Sequence, residues 1–154
     1  MDLKLDAETL ALIKTLFTEQ IPFNRLLGLQ VVSLDSDQVS LRLRMREEFI
    51  GNFIRGTLHG GVISATLDVT GGLAAFLGVL QKLEGESIRQ KMERLSRLGT
   101  IDLRIDYLRP GIGEFFVSKG FILRIGNKVA VTRMELHNDR QQLIAVGTGT
   151  YIVG

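Results

Sequence analysis

A chain of 154 residues with 45% apolar and 23% charged side chains has the length and composition of an ordinary globular domain, which excludes the disordered, collagenous and low-complexity classes. Its 19 basic and 17 acidic residues leave a net charge of +2, too weak a field to argue for a nucleic-acid partner. The absence of cysteine rules out disulfides, thiolate metal sites and a cysteine nucleophile, and with only His59 and His137 present a histidine-rich metal site is not expected either.

The N-terminal run MDLKLDAETLALIKTLF has no basic segment followed by an apolar stretch and a small-residue cleavage site, so no secretory signal is expected. Residues 7–20 place Leu10, Ile13, Leu16 and Phe17 at helical spacing, and Ile21-Pro22 predicts the end of that helix. A short apolar turn through Phe23, Leu26 and Leu27 stops at Gly28. Residues 29–34 and 39–46 alternate as two strands, with Val39, Leu41, Leu43 and Met45 on one face and the Asp35-Ser36-Asp37-Gln38 turn between them. The irregular stretch EEFIGNFIRGTL leads into an apolar helix over 60–80.

From Val62 to Leu80 the only charge is Asp68, and that length matches a membrane span. The segment also carries Gly71, Gly72, Gly78, Thr66, Thr70 and Ser64, with no close basic flank. It reads better as the buried helix of a soluble, cytoplasmic protein with no membrane span. Residues 86–97 predict a second, charged helix in which Glu86 pairs with Gln90 and Glu93 with Arg97. Strand patterns follow near 100–107, 114–125, 128–137 and 143–153, the last three joined by Gly126-Asn127 and by Asn138-Asp139-Arg140-Gln141. Short connections mean antiparallel pairing, so the four strands are expected as a meander. A helix apolar nearly all round must be covered on most sides. The expected architecture is α+β: one curved antiparallel sheet wrapped around the central helix.

Asp68 is the ionisable group in a segment that must be buried, so it needs partners or a wet cleft. The bland alternative is a helix carboxylate bonded to Ser64 or Thr70. At the start of the same helix stands His59-Gly60-Gly61. A helix N-terminus offers unpaired N–H groups and a positive dipole end, and glycines there let a ligand approach closely. Such an end suits a phosphate or a developing oxyanion. Acyl transfer needs an oxyanion donor and a base or nucleophile at one carbonyl. Gly60 and Asp68 are eight positions apart, roughly 12 Å of helix. Both can serve one carbonyl only if they come from two antiparallel copies of the helix. The spacing therefore predicts a two-fold homodimer with two composite sites.

The runs GNFIRGTLHGG, Asp68 and GTIDLRIDYLRPG resemble the hotdog-fold acyl-CoA thioesterases of the PaaI-like family. PFNRLLG, HGGVI, LSRLGTIDLRIDYLRPG and GNKVAVTRMELHN are similar to its YigI-type proteobacterial subgroup. The resemblance spans nearly the whole chain and implies a single hotdog thioesterase domain over 1–154 with an N-terminal helix. It also implies dimers that can pair into tetramers. The implied reaction is hydrolysis of acyl-CoA to free acid and CoA, without metal or redox cofactor, on medium- to long-chain fatty acyl groups.

By the same resemblance the Gly60 N–H polarises the thioester carbonyl, and Asp68 is the general base or nucleophile from the other subunit. Asp68 must then be ionised, so activity is expected to fall at acid pH. Thr100 positions the attacking water, His59 fixes the approach to the helix, and Gly61 and Asn52 contact the substrate. Asn52 lies seven residues before His59, where many relatives have six. Arg109, Arg124, Gly126, Asn127 and Lys128 border the coenzyme. Arg89, Lys91, Arg94 and Arg97 of the charged helix face a coenzyme phosphate or form a solvated surface. Phe49, Ile50, Phe53, Ile54 and Phe76 are candidates to line an acyl tunnel, or belong to the core.

Two other functions fit the same fold: a dehydratase or hydratase of acyl thioesters, with His59 acting directly, and a non-catalytic acyl-CoA-binding protein. His137-Asn138-Asp139 falls in a hairpin turn with no second ligand in register. No P-loop, dinucleotide, zinc-hydrolase or serine-hydrolase signature is present. Aromatic residues at 6% are too few for base stacking.

Overall fold

The computed structural model describes residues 5–83 and 85–154. Helix α1 (Ala7–Thr15) starts at Asp6, whose carboxylate accepts from the Thr9 N–H at 2.7 Å. The predicted helix over 7–20 changes character at its last turn, because Leu16–Gln20 forms a π-helical turn. Asn24 explains the wider turn: its buried side-chain amide donates to the Phe17 carbonyl at 2.9 Å and holds it away from the helix ladder. Pro22 opens α2 (Pro22–Leu27), where its missing N–H is no loss, and Gly28 ends it at φ 69°.

The hairpin of β1 (Gln30–Leu34) and β2 (Val39–Arg44) forms as expected, and Val39, Leu41 and Leu43 lie in the core. A small ribbon of β3 (Ile50–Asn52) and β4 (Thr57–Leu58) leads to α3 (Gly60–Lys82). The charged helix α4 is shorter than predicted, Ile88–Ser96. Glu93 and Arg97 do pair, at 2.9 Å. Gln90 bonds Ser87 instead of Glu86, closing a capping box. Then come β5 (Gly99–Tyr107), β6 (Phe115–Ile125), β7 (Val129–Asn138) and β8 (Leu143–Ile152).

The six-stranded antiparallel sheet has the order β1-β2-β6-β7-β8-β5. The expected four-strand meander is therefore corrected: β6, β7 and β8 follow one another, but β5 sits at the far edge beside β8. The segment after β5 cannot be a tight hairpin. Its Gly111 carbonyl accepts the Leu58 N–H at 2.9 Å, and the chain passes over β4 before it rejoins the sheet.

One face of the sheet packs on α3, which touches β2, β5, β6, β7 and β8. Leu67, Leu73, Leu77 and Leu80 of α3 are at most 1% exposed, and each such side chain contributes about 1.5–3 kcal/mol by leaving water. The helix is long and apolar enough to cross a membrane, but most of it is buried inside this molecule. Gly71 and Gly78 set how closely the sheet beds on it. A methyl group on Gly71 would collide with Tyr151, Met134 and Thr132, and one on Gly78 with Ile122 and Ile125.

Candidate functional site

Helix α3 presents two polar features to the surface. The first is its N-terminus. His59 is the N-cap residue, and its Nδ1 accepts the Gly61 N–H at 2.8 Å. An accepting Nδ1 places the ring proton on Nε2 and commits the imidazole to the cap. The Gly61 N–H is thereby used within the chain. The Gly60 N–H, the first amide of the helix, has no protein acceptor among the described residues. Around it lies a cleft of about 360 Å³ lined by Arg55, Ile63, Tyr107, Arg109 and Gly111. Tyr107 donates to the Gly60 carbonyl at 3.2 Å, and Arg109 is steadied by the Leu143 carbonyl at 2.9 Å. Arg109 thus lies in the cleft beside Gly60; Arg55, in the same cleft, was not anticipated, because nothing in its local pattern distinguishes it from a surface cation.

The second feature is Asp68, two turns along. Its hydroxyl partners are not Ser64 or Thr70, which bond to the Gly61 carbonyl and to the Thr66 carbonyl and Ser118 instead. They come from the sheet: Thr100 Oγ1 donates to Asp68 Oδ1 at 2.9 Å, and the Tyr151 hydroxyl lies 3.2 Å from the same oxygen and 3.0 Å from the Asp68 carbonyl. Thr100 and Tyr151 are register partners in β5 and β8, so their side chains leave one face of the sheet together. Oδ2 has no protein partner among the described residues. The half-buried carboxylate therefore has one oxygen clamped and the other without a protein partner among the described residues, and Asp68 lines an open cleft of about 250 Å³.

Tyr151 was missed at the sequence level, where it reads as one more core aromatic of an alternating strand. The only local signal is Gly147 and Gly149 before it. Burial, then the charge and hydrogen bond of Asp68, push its ionisation far above tyrosine's ordinary 10.0. The folded chain therefore keeps this proton where the unfolded chain loses it. That stability is complete below 10.0 and is lost as pH rises above it, by up to about 1.4 kcal/mol per pH unit. Urea midpoints of wild type and Tyr151→Phe, measured from neutral pH into the alkaline range, are expected to show the steeper alkaline decline in wild type.

The remaining candidates scatter. Asn52 is exposed and closes its own loop, its Oδ1 accepting the N–H groups of Ile54 and Arg55 at 3.1 and 3.2 Å. Arg124, Gly126, Asn127 and Lys128 lie at the opposite end of α3, where Lys82 bonds the Ile125 carbonyl at 2.6 Å. That end is roughly 30 Å along the helix from Gly60. Arg94 of α4 borders a cleft there with Gly126 and Asn127, whereas Lys91 bonds Thr9 at 3.2 Å and docks α4 on α1. Of the residues offered as tunnel lining or core, two take the core alternative. Phe49 and Phe76 are core residues at 5% and 3% exposure, and Phe53 and Ile54 stand in solvent at 86% and 83%. The cleft beside Asp68 is walled by Phe17, Ile21, Phe23, Val69 and Leu98 instead. Asn138 serves its hairpin, bonding Arg140, Gln142 and Ile112, and the His137 Nε2 lies 3.8 Å from Glu135.

Comparison with known proteins places these features in context. The thioesterase superfamily profile matches residues 55–145. The chain is 45% identical to the medium/long-chain acyl-CoA thioesterase YigI of Escherichia coli K12, over 96% of this chain and 95% of that protein. A crystal structure from Shewanella oneidensis, described as related to the thioesterase superfamily, is 47% identical with a TM-score of 0.91, covering 96% of this chain and 97% of that one. Zebrafish thioesterase superfamily member 2, at 24% identity and a TM-score of 0.73 over 97% and 99% of the two chains, shares the fold.

Proposed function

The chain belongs to the thioesterase superfamily, and from that premise we propose that it hydrolyses the thioester of medium- to long-chain acyl-CoA, with Asp68 and Gly60 as its catalytic groups. The observation that carries the assignment is the Asp68 carboxylate, held on one oxygen by Thr100 and open on the other at the mouth of an apolar cleft. In this reading Oδ2 takes a proton from water, and the water oxygen attacks the carbonyl carbon. The carbon–sulfur bond breaks as the tetrahedral intermediate collapses, and the thiolate of CoA leaves with the proton held by Asp68. The Gly60 N–H stabilises the oxyanion at the positive end of α3.

Two protomers supply these groups. Strand β5 lies at the sheet edge with Ile101 and Tyr107 exposed at 56% and 54%, and its outer edge has no partner among the described residues. A long unpaired edge of this kind is a template for pairing with a second copy. Antiparallel pairing of β5 with its own copy about Leu103 brings the Thr100 end of one strand to the Tyr107 end of the other. Thr100 touches Asp68 and Tyr107 touches Gly60, so the acid of one protomer meets the amide of its partner. The coenzyme then leaves past Arg55 and Arg109, which suit its phosphates. The reading places the enzyme in the cytoplasm, acting on fatty acyl groups.

Direct action of His59 as in a hydratase is disfavoured, because its Nδ1 holds the helix cap. The test is CoA release from butanoyl-, octanoyl-, dodecanoyl- and hexadecanoyl-CoA beside hydration of crotonyl-CoA. Release highest for the longer chains, with no hydration, is the expected result. Binding of acyl-CoA without release would overturn the assignment.

A further inference from the structure

We propose that the cleft between the N-terminal helical segment and α3 receives the acyl chain, and that Gly72 in its wall sets the chain length accepted. The inference rests on the thioester-hydrolase reading above. The acid and its two hydroxyl partners, Thr100 and Tyr151, themselves line this cleft, so a chain bonded to the carbonyl can pass directly into it. Its walls are Phe17, Ile21 and Phe23 on one side and Val69, Gly72 and Leu98 on the other. Asn24 is the remaining polar wall residue, and its side-chain amide donates to the Phe17 carbonyl.

The wall is also built unusually. The π-helical turn Leu16–Gln20 carries Phe17, and such turns are rare and concentrate at functional sites. Ile21 is extended between this turn and α2, and Ile21 and Phe23 line the same cleft. Phe23 is 52% exposed, as the outer lip of a half-open channel would be.

Gly72 is the adjustable element. A Cβ added there meets Tyr151 at 3.6 Å and Leu98 at 3.8 Å, ordinary contacts. A small side chain is therefore accommodated and takes volume from the cleft. Gly71 beside it has no such room.

The experiment measures kcat/KM for dodecanoyl-CoA and butanoyl-CoA with wild type, Gly72→Val and Phe23→Ala, each checked by thermal melting. Gly72→Ala stands in if the valine variant fails to fold. Gly72→Val is expected to lower the dodecanoyl-to-butanoyl ratio by about tenfold, the discrimination of one or two methylenes excluded from an apolar pocket. Phe23→Ala is expected to lower the same ratio severalfold through a raised KM. Calorimetric affinity for dodecanoate relative to butanoate should move in parallel, and this readout needs no turnover. Ratios unchanged in both folded variants, or a uniform loss for both substrates, would overturn the inference and leave the thioesterase reading intact. Wild type that binds dodecanoate in a Gly72-dependent way but releases no CoA would overturn the function and keep the cleft.

Discussion

Asp68→Asn is expected to lower kcat for acyl-CoA hydrolysis by about 10²–10⁴-fold, the contribution of a positioned general base, and to leave the fold intact. Asparagine has the same shape, and its carbonyl oxygen can still accept from Thr100 and Tyr151, so the clamp seen on Oδ1 survives. Only the basicity of Oδ2 is removed. Steady-state CoA release against a circular-dichroism melt separates the two effects. Residual activity within a few-fold of wild type in a folded variant would refute the role. Base and nucleophile are told apart on the wild-type protein: a single turnover in ¹⁸O water should place the label in the released acid and none in Asp68. Label in the Asp68 carboxylate would make it the nucleophile instead.

The second large effect is expected at the other end of α3. Gly60→Pro deletes one N–H, and the site tolerates proline for reasons visible in the backbone. Gly60 is the first helical residue, where proline is favoured, and His59 before it is extended at φ −61° and ψ 134°, the conformation proline demands of its predecessor. A Cβ there comes 3.3 Å from the ring of Tyr107, an exposed side chain able to give way. The loss of one oxyanion donor should cost about 10²–10³-fold in kcat. Mixing the Asp68→Asn and Gly60→Pro chains after unfolding and refolding should then restore roughly a quarter of wild-type activity. Half of the dimers are mixed, and each mixed dimer holds one intact site and one doubly defective site. No recovery would mean that each chain works alone, and the composite site would fall.

Much of this molecule was readable from local pattern. The alternation of Val39, Leu41 and Leu43 identified their buried face correctly because period 2 is a property of the backbone itself. Asp68 was conspicuous because a carboxylate inside an apolar helix carries a desolvation cost that must be met somewhere. His59-Gly60-Gly61 was legible because it stands where a helix has free amides.

Other features were illegible for equally physical reasons. Alternation says which face of a strand is buried and nothing about which strand lies beside it, so β5 could not be assigned to the far edge next to β8. The π-helical turn keeps the apolar spacing of an α-helix, and the bond from Asn24 to the Phe17 carbonyl that accompanies it leaves no mark on that spacing. Phe49, Phe53, Ile54 and Phe76 are equally apolar, yet two are core and two are in solvent, a division made by the path of the chain and not by side-chain chemistry.

By itself, then, the order of residues determined the longer helices and strands, the buried helix and the presence of one acid and one amide-rich helix end, since each follows from short-range periodicity and the cost of burying charge. Tertiary structure alone decided that Thr100 and Tyr151 clamp that acid from adjacent strands, that Phe17, Ile21 and Phe23 wall the space beside it, and that β5 is left as an edge. These are contacts between segments tens of residues apart. Packing against α3 selects them, and no local pattern encodes them.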